Sequence, residues 1–199
     1  AAELGNALAM NNLGWCFDNG RGVAKDEAKA FEWYKRAAEM GDAKAMNKVG
    51  ECFTYGNGVC KDYNKAFELF QRAAEKGDKN ALFSYGMCFY KGRGVEKDEA
   101  KAVELWEKAA KKGHLAAMHN LGACYDKGTG VAQNVAKAFQ WFKLAAETGF
   151  AESMYMVGVD FDDGKGTTKD EAQAFEWYQR AAEKGNAKAL YKLGLFFDE

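Results

Sequence analysis

The chain repeats its own sequence at a fixed step of 36 residues, without insertion or deletion. One glycine returns at every step, as Gly14, Gly50, Gly86, Gly122, Gly158 and Gly194. A pair of alanines follows the same step, as Ala37/Ala38, Ala73/Ala74, Ala109/Ala110, Ala145/Ala146 and Ala181/Ala182. Self-similarity with such a period is the signature of a repeat array, in which each unit packs mainly against its neighbours. The sequence therefore predicts a single array rather than a globular domain around one central core.

The period divides the 199 residues into five repeats and a sixth first half. The repeat bounds are 6–41, 42–77, 78–113, 114–149, 150–185 and the partial 186–199. Residues Ala1–Gly5 are interpreted as the end of a preceding repeat or a terminal edge. Because the sequence begins without methionine and ends inside a repeat, we expect it to be part of a longer protein, in which any targeting signal lies outside this sequence.

Each repeat contains the start and stop signals of two helices joined by a glycine-containing loop. In the first repeat these helices cover about Ala7–Asn19 and Asp26–Met40. A side-chain acceptor for the exposed amides of each second helix is present at Asp26, Asp62, Asp98, Asn134 and Asp170. Glycines that suit the left-handed residue after a helix follow at Gly41, Gly77, Gly113, Gly149 and Gly185. The pattern predicts an all-α fold.

The first helices share one nearly constant face, illustrated by Ala81, Leu82, Tyr85, Gly86 and Phe89 and their equivalents. Their spacing places them on one side of a helix, which predicts a buried core. A glycine inside a helix costs about 1 kcal/mol relative to alanine. The chain keeps that glycine in every repeat, so we expect a helix-to-helix contact that is too close for a side chain.

Composition and charge exclude several classes of function. The formal net charge is −1 and 29% of the residues are charged, with lysines and glutamates interspersed. No basic stripe favours nucleic acid, and no run of 18 or more apolar residues favours membrane insertion. Four of the five cysteines, Cys16, Cys52, Cys88 and Cys124, share one repeat position. Stacked helices lie about 8–10 Å apart, so disulfides between them are not expected, and unpaired thiols favour a reducing compartment such as the cytosol.

The residues also carry a family resemblance. The stretches ALFSYGMCFYKGRGVEKDEAKAVELWEKAAKKG and MNNLGWCFDNGRGVAKDEAKAFEWYKRAAEMG resemble the Sel-one-like repeat of the tetratricopeptide superfamily. Departures from the pattern are confined to positions such as Thr167, Asn134 and Gln173. The resemblance implies a right-handed α-solenoid of antiparallel helix pairs, with the first helix of each repeat on the concave side. It also implies an adaptor that holds other proteins in complexes. A cysteine-rich Helicobacter branch of the family has been linked to penicillin binding, but this chain has Ala38 and Met46 where that branch would need cysteines.

Motifs for catalysis, metals and cofactors are not present in the sequence. The loops GRGVAKD, GNGVCKD, GRGVEKD, GTGVAQN and GKGTTKD lack the flanking pattern of phosphate-binding motifs and are interpreted as interhelical turns. Ser84 and Ser153 have no histidine at a helical spacing that would activate them. The acidic run at Asp160, Asp162 and Asp163 lacks the calcium loop that follows in such sites and is interpreted as a solvated edge. No catalytic residue, metal or cofactor is predicted.

The strongest functional signal is variation on one side of the first helices, opposite the constant glycine. Packing would enforce similarity, so variation at these spacings indicates a face that lines a groove. We call the candidate contact residues the first-helix stripe: Asn12, Trp15, Asn47, Phe83, Met87, Tyr90, His119, Asn120, Tyr155 and Met156. Aromatic and methionine side chains suit peptide-binding surfaces, and asparagine amides can bond an extended backbone. The alternative interpretation is that these residues make contacts between repeats, or would be covered by further repeats beyond the ends of this sequence.

These observations predict a non-catalytic scaffold that binds a protein or peptide through the first-helix stripe. Two alternatives belong to other classes of protein. One is a binder of cell-wall-related small molecules or an enzyme of the β-lactam-binding type. The other is a structural spacer, with self-association through the ends of the array. No nucleic-acid partner is expected.

Overall fold

The computed structural model describes residues 6–198, with side chains up to residue 196. The edge segment Ala1–Gly5 therefore lies outside the described residues. The described part contains helices and turns and no strand. The helices are α1 Ala7–Asn19, α2 Glu27–Glu39, α3 Ala43–Tyr55, α4 Tyr63–Glu75, α5 Lys79–Lys91, α6 Glu99–Lys111, α7 Leu115–Lys127, α8 Val135–Glu147, α9 Ala151–Asp163, α10 Glu171–Glu183 and α11 Ala187–Asp198. The predicted all-α class with helix pairs at a 36-residue period is confirmed.

The predicted caps explain where each second helix begins. Asp26 accepts a hydrogen bond from the Lys29 amide at 2.9 Å, and the equivalent side chains of the other repeats do the same at 2.8–3.0 Å. First helices use a more varied set of caps. His114 accepts through Nδ1 from the Ala117 amide at 3.1 Å, whereas Phe150 provides no side-chain acceptor. The glycines that follow the second helices all have positive φ, from 77° to 99°.

Within each pair, the two helices run antiparallel and lie unusually close. The Asp26 amide donates to the Phe17 carbonyl at 2.9 Å, while Gly14, nearer the start of α1, faces Tyr34, further along α2. A Cβ at Gly14 would lie 2.7 Å from the Tyr34 ring, and a Cβ at Gly86 would lie 2.6 Å from Trp106 Nε1. Equivalent overlaps occur between Gly50 and Phe70, Gly122 and Phe142, and Gly158 and Tyr178. The expected close contact is therefore a helical glycine against an aromatic ring.

A second glycine fixes the register of neighbouring repeats. A Cβ at Gly58 would overlap the carbonyl oxygen of Glu27 in the preceding repeat. Gly94 meets the Tyr63 carbonyl in the same manner, as does Gly166 with that of Val135. Each of these glycines also has φ near 70°, a conformation that other residues rarely adopt. The loop between paired helices therefore packs directly on the backbone where the preceding second helix begins.

The chain forms two compact units, residues 1–109 and 110–199. The core of the first unit contains small residues from both helix layers around Phe31, Tyr34 and Met46. The core of the second contains Phe142, Val157, Trp177 and Tyr178. Cys52 and Cys88 are buried thiols, and burial raises the pKa of Cys52 to about 12 and that of Cys88 to about 11. Among residues 6–198, no helix is long and apolar enough to cross a membrane.

The glycine–aromatic contact gives a direct stability prediction. Gly86→Ala places a methyl group against the buried Trp106 ring, whose Nε1 is hydrogen-bonded to the Phe83 carbonyl at 3.2 Å, so the ring has little room to move. We expect a loss of about 1–3 kcal/mol, typical of overpacking. Gly194→Ala is the matched control, because it lies inside α11 and the added methyl group would have nothing within 4 Å.

The control should stabilise the protein by up to about 1 kcal/mol through helix propensity alone. Urea unfolding followed by circular dichroism measures both changes. Equal effects of the two substitutions would contradict the assigned role of the aromatic ring.

Candidate functional site

The members of the first-helix stripe differ in how far they reach solvent. Asn12 and Trp15 are exposed, and Trp15 keeps 42% of its surface accessible. Asn47 is 3% exposed. The remaining seven are half-buried, namely Phe83, Met87, Tyr90, His119, Asn120, Tyr155 and Met156. The structure places Asn12, Trp15, Asn47, Phe83, Met87 and Tyr90 in the first unit and the other four in the second.

In the first unit, α5 and α6 form an aromatic cluster around the ring that covers Gly86. The Phe83 ring stacks on Trp106 with centroids 6.1 Å apart, and the Tyr90 ring lies 5.3 Å from it. Lys91 Nζ lies 5.3 Å from the Tyr90 centroid. Phe83 and Tyr90 therefore contribute to packing within the repeat while keeping part of each ring exposed. These contacts lie within one repeat and are therefore not the contacts between repeats of the alternative interpretation.

Asn47 belongs to a polar group on α3. Its Nδ2 donates to Glu51 Oε1 at 2.8 Å, and Lys48 Nζ pairs with Glu51 Oε2 at 2.8 Å. Burial lowers the pKa of Lys48, but the hydrogen bond and charge of Glu51 outweigh burial, so the pKa is raised. Within the described residues, the buried Asn47 Oδ1 and Asn11 Oδ1 have no protein hydrogen-bond partner. The Asn47 amide thus orients Glu51 instead of pointing into solvent.

Trp15 on α1 offers the most accessible aromatic surface of the stripe. The Arg21 guanidinium lies 5.4 Å from the centroid of the Trp15 ring. The Trp15 backbone carbonyl accepts a hydrogen bond from Asn19 Nδ2 at 2.9 Å. A half-exposed indole beside a guanidinium and the exposed Asn12 combines an apolar face with hydrogen-bonding groups. Such a combination is typical of the anchor residues of interfaces.

In the second unit, His119 on α7 contacts both α8 and α9. Its ring lies 5.4 Å from Phe142 and 5.6 Å from Phe150, and its Nδ1 lies 2.9 Å from Ser153 Oγ. Burial lowers the pKa of His119, against an opposing effect of the Glu152 charge, so the imidazole is neutral near pH 7. On α9, Tyr155 lies 5.8 Å from the Tyr178 ring that covers Gly158.

No histidine lies at a helical spacing from Ser153, but the structure brings His119 against it. His119 and Ser153 are 34 residues apart and meet across neighbouring repeats, a relation that spacing within one helix cannot reveal. The pair is nevertheless unsuited to nucleophilic attack, because Ser153 is 0% exposed and no substrate carbonyl can reach its oxygen. The contact joins α7 to α9 and gives Ser153 its hydrogen-bond partner.

The acidic run at the end of α9 is also different from the expected solvated edge. Asp160 is 4% exposed and occupies the position that Cys16, Cys52, Cys88 and Cys124 hold in the other repeats. Burial raises the pKa of Asp160 to about 7. Asp162 accepts from Tyr178 Oη at 3.2 Å and pairs with Lys192 at 3.1 Å. Among the described residues, no group of three or more acidic, histidine or cysteine side chains is arranged to hold a metal ion.

Sequence reasoning missed the residues that support the stripe from the second helices. The spacing of Trp106 and Tyr178 predicts general packing, yet each contacts one or two stripe residues directly. A signal for this role exists, because position 34 of the chain and its equivalents are always aromatic: Tyr34, Phe70, Trp106, Phe142 and Tyr178. The repeated aromatic position and the repeated glycine position together indicate the contact between ring and glycine.

Comparison with protein-family models assigns the repeats. The Sel1 repeat model matches residues 7–42, 43–78, 79–114, 115–150 and 151–186. These bounds have the expected period and begin one residue later than those drawn from the sequence. Comparison with curated proteins gave no match.

Solved structures give the same assignment. A Sel1 repeat protein from Oxalobacter formigenes is 35% identical with a TM-score of 0.94, over 98% of this chain and 80% of that one. The protective antigen c5321 of uropathogenic Escherichia coli is 34% identical with a TM-score of 0.87, and the match spans 98% of this chain and 42% of that one. Cysteine-rich protein B of Helicobacter pylori is 24% identical with a TM-score of 0.54, over 67% of this chain and 96% of that one. At that identity the last match shows a shared fold alone.

The buried Asp160 predicts a dependence of stability on pH. Its folded pKa of about 7 lies above the reference value of 3.8, so the folded state favours the protonated acid. Stability should therefore be highest at acidic pH and should fall as the pH rises from about 4 to about 7. The difference between these two pKa values corresponds to about 4 kcal/mol, an upper bound on this loss.

Asp160→Asn removes the titrating group at nearly constant volume. We expect the variant to be more stable than the parent at pH 8 and the difference to shrink at pH 5, measured by urea unfolding. Glu183→Gln, at an exposed carboxylate on α10 that does not contribute to the Asp160 shift, is the matched control and should leave the pH profile unchanged. A pH profile that is the same for parent and Asp160→Asn would refute the assignment. The His119 titration is common to all three proteins and cancels in the comparison.

Proposed function

Because the chain belongs to the Sel1 repeat family, whose members are typically protein-interaction scaffolds, we propose that it is a non-catalytic adaptor that binds a peptide segment or partner domain through its first-helix stripe. The observation that carries the proposal is the exposed Trp15 beside Asn12 and Arg21 on the first unit. Tryptophan and arginine are enriched among residues that dominate binding energy. An indole left 42% exposed on a 13-residue helix provides apolar area that a partner can cover.

The Phe83 and Tyr90 rings supply a second anchor within the first unit. Both rest on Trp106, which is itself held by a hydrogen bond to the Phe83 carbonyl. Rings that are already packed lose little conformational freedom when a partner binds, so less of the interaction energy is spent on ordering them. Met87 lies one helical turn from Phe83 and offers an adaptable apolar side chain.

In the second unit, Tyr155, Met156, His119 and Asn120 present half-buried aromatic and polar groups. Because the His119 pKa is lowered, its imidazole stays neutral near pH 7 and contributes to a partner contact without charge. Asn47 has a supporting role in the proposal, since its buried amide holds the Glu51 carboxylate beside Lys48. The side chains offered to a partner are then mainly aromatic, with a few amides and one ion pair.

Two alternative functions receive less support from the side chains. Acylation by a β-lactam needs an accessible nucleophile with a base, whereas Ser153 beside His119 is completely buried. A structural spacer requires no exposed aromatic anchor on the first helices, and Trp15 argues against it. The related structures supply no partner that transfers to this chain.

Selection from a displayed library of 12-residue peptides tests the adaptor function with a defined probe. The wild-type chain is used for selection, and the best peptide is then titrated calorimetrically against single variants. We expect Trp15→Ala, Phe83→Ala or Tyr155→Ala to weaken binding at least tenfold, because each substitution removes one anchor residue. Urea unfolding checks that Phe83→Ala keeps its fold after losing the stack on Trp106.

Tyr63→Ala is the matched control for Trp15→Ala. Tyr63 is 39% exposed with Arg93 5.3 Å above its ring, an environment much like that of Trp15, but it lies on the second helix α4. We expect its removal to leave the affinity unchanged. If every selected peptide binds all three stripe variants as tightly as the parent, the stripe is not the binding surface.

A labelled β-lactam distinguishes the adaptor from the acyl-enzyme alternative. We expect no mass increase after incubation at pH 7, as measured by intact mass spectrometry, because the Ser153 oxygen is enclosed. Ser153→Ala serves as the negative control. A stoichiometric adduct on the parent that the variant lacks would establish the enzymatic alternative.

A further inference from the structure

The first unit contains a groove lined by α2, α3 and α4 with a volume of about 510 Å³. Its floor and walls are apolar, formed by Phe31, Ala38, Val49, Phe53, Val59 and Leu69. Its remaining lining residues are Lys35, Glu39, Lys65 and Arg72. Sites for small ligands typically have volumes of about 300–1,000 Å³ and combine an apolar lining with a few polar groups. None of the first-helix stripe residues lines this groove.

Val49, one of the lining residues, is smaller than its equivalent one repeat later. Phe31 and Phe53 make an edge-to-face pair at 5.5 Å with Val49 beside them. Their equivalents Phe67 and Phe89 enclose a third ring, that of Tyr85, at 5.1 and 5.2 Å. Tyr85 stands 36 residues after Val49, so the next repeat fills with an aromatic ring the volume that this repeat leaves open.

A second difference between repeats lies on the α4 side of the groove, where Leu69 and Leu105 occupy a position that is tryptophan in the other three repeats. Leu69 has Trp177 as its equivalent three repeats later. The Trp177 ring is buried, and the Arg180 guanidinium lies 4.8 Å from its centroid. Arg72 corresponds to Arg180, but at Leu69 it has no indole to cover. The groove therefore combines two aliphatic residues at positions where at least one other repeat has an aromatic one. These are Tyr85 at the Val49 position and Trp33, Trp141 and Trp177 at the Leu69 position.

The rim has a surplus of positive charge. Lys65 pairs with Asp62 at 3.2 Å and lies 5.4 Å from the Phe53 ring. Lys35 and Arg72 form no ion pair with any described residue, and Glu39 is the one carboxylate among the lining residues. An anionic group at the rim would meet the Lys35 ammonium and the Arg72 guanidinium, the latter suited to bidentate contact with a carboxylate.

We propose that this groove binds a small amphipathic carboxylate, with a medium-chain fatty acid as the simplest member of the class. The hydrocarbon chain lies against Phe31, Val49 and Phe53, and the carboxylate lies between Lys35 and Arg72. The size of the groove favours a small ligand over a protein surface, because ten residues line it whereas a stable interface uses about 20–30 residues on each side. The site is separate from the adaptor surface and does not depend on it.

Calorimetric titration with three ten-carbon probes, kept below their micelle concentrations, tests the site. We expect decanoate to bind the wild-type chain with one-to-one stoichiometry, and decanol and decyltrimethylammonium to bind at least tenfold more weakly. Val49→Tyr and Leu69→Trp should each weaken decanoate binding at least tenfold. Each variant installs the residue that another repeat already accommodates, and urea unfolding verifies its fold.

Matched controls separate filling of the groove from general effects. Val135→Tyr makes the same chemical change at an exposed position on α8 and should leave decanoate binding unchanged. A Lys35→Gln/Arg72→Gln double variant should bind decanoate no more tightly than decanol. Trp15→Ala, which removes an anchor of the stripe, should bind decanoate normally, so the outcome is independent of the adaptor proposal.

Three results would overturn the proposal. The first is that decanoate does not bind the wild-type chain. The second is that decanoate binds Val49→Tyr and Leu69→Trp as tightly as it binds the wild-type chain. The third is that decyltrimethylammonium binds the wild-type chain as tightly as decanoate does. An acidic peptide with a central phenylalanine that binds the parent but not Val49→Tyr, where decanoate fails, would also overturn it in favour of a peptide-docking groove.

Discussion

The contact between a helical glycine and an aromatic ring determines how the two helices of every repeat pack. In each of the five helix pairs, a Cβ added to the glycine would lie 2.5–2.7 Å from the nearest ring atom, closer than any side chain allows. The helix accepts the propensity cost of glycine because the ring then packs flat on bare backbone and is removed from water. Tyr34, Trp106, Phe142 and Tyr178 are among the most completely buried large side chains of the protein. The glycine–ring contact fixes how the two helices of a repeat pack. The loop glycines then pack this helix pair on the preceding repeat, so stacking of the repeats also depends on the glycine–ring contact.

The same ring connects the constant framework with the variable stripe. One side of the ring covers the glycine, and its periphery contacts the residue three positions before that glycine on the first helix. Trp106 is paired with Phe83, Phe142 with His119, and Tyr178 with Tyr155. The stripe therefore varies partly because the ring beneath it varies. Packing and partner contact are not exclusive interpretations of these residues, since a half-buried ring serves both.

The sequence is sufficient to predict the fold because the responsible signals are local and repeated. Caps such as Asp26 and terminal glycines such as Gly41 act within four residues, and the structure has them at the expected positions. The side chains of the candidate site depend on contacts between residues 16 to 34 positions apart, including Tyr178 with Asp162 and His119 with Ser153. Such contacts depend on rotamers and on the neighbouring repeat. For that reason the burial of Asn47 and the pairing of Ser153 are not accessible from spacing.

Two buried positions differ between repeats in a way that packing alone does not explain. Asp160 replaces a buried cysteine, and the second unit bears the cost of a carboxyl whose pKa is raised to about 7. Val49 is aliphatic like most of its equivalents, whereas Tyr85 fills the same position of the third repeat with a ring. The groove that Val49 lines has Lys35 and Arg72 among its lining residues. The Asp160 and Val49 side chains are both buried, so solvent exposure does not account for either difference. The third repeat holds the Tyr85 ring at this position, so the fold can accommodate a ring there. The second repeat leaves the volume open, and packing gives no reason for the open volume. Occupancy by a ligand supplies such a reason, because the apolar surface that the missing ring leaves bare is then covered when the ligand binds.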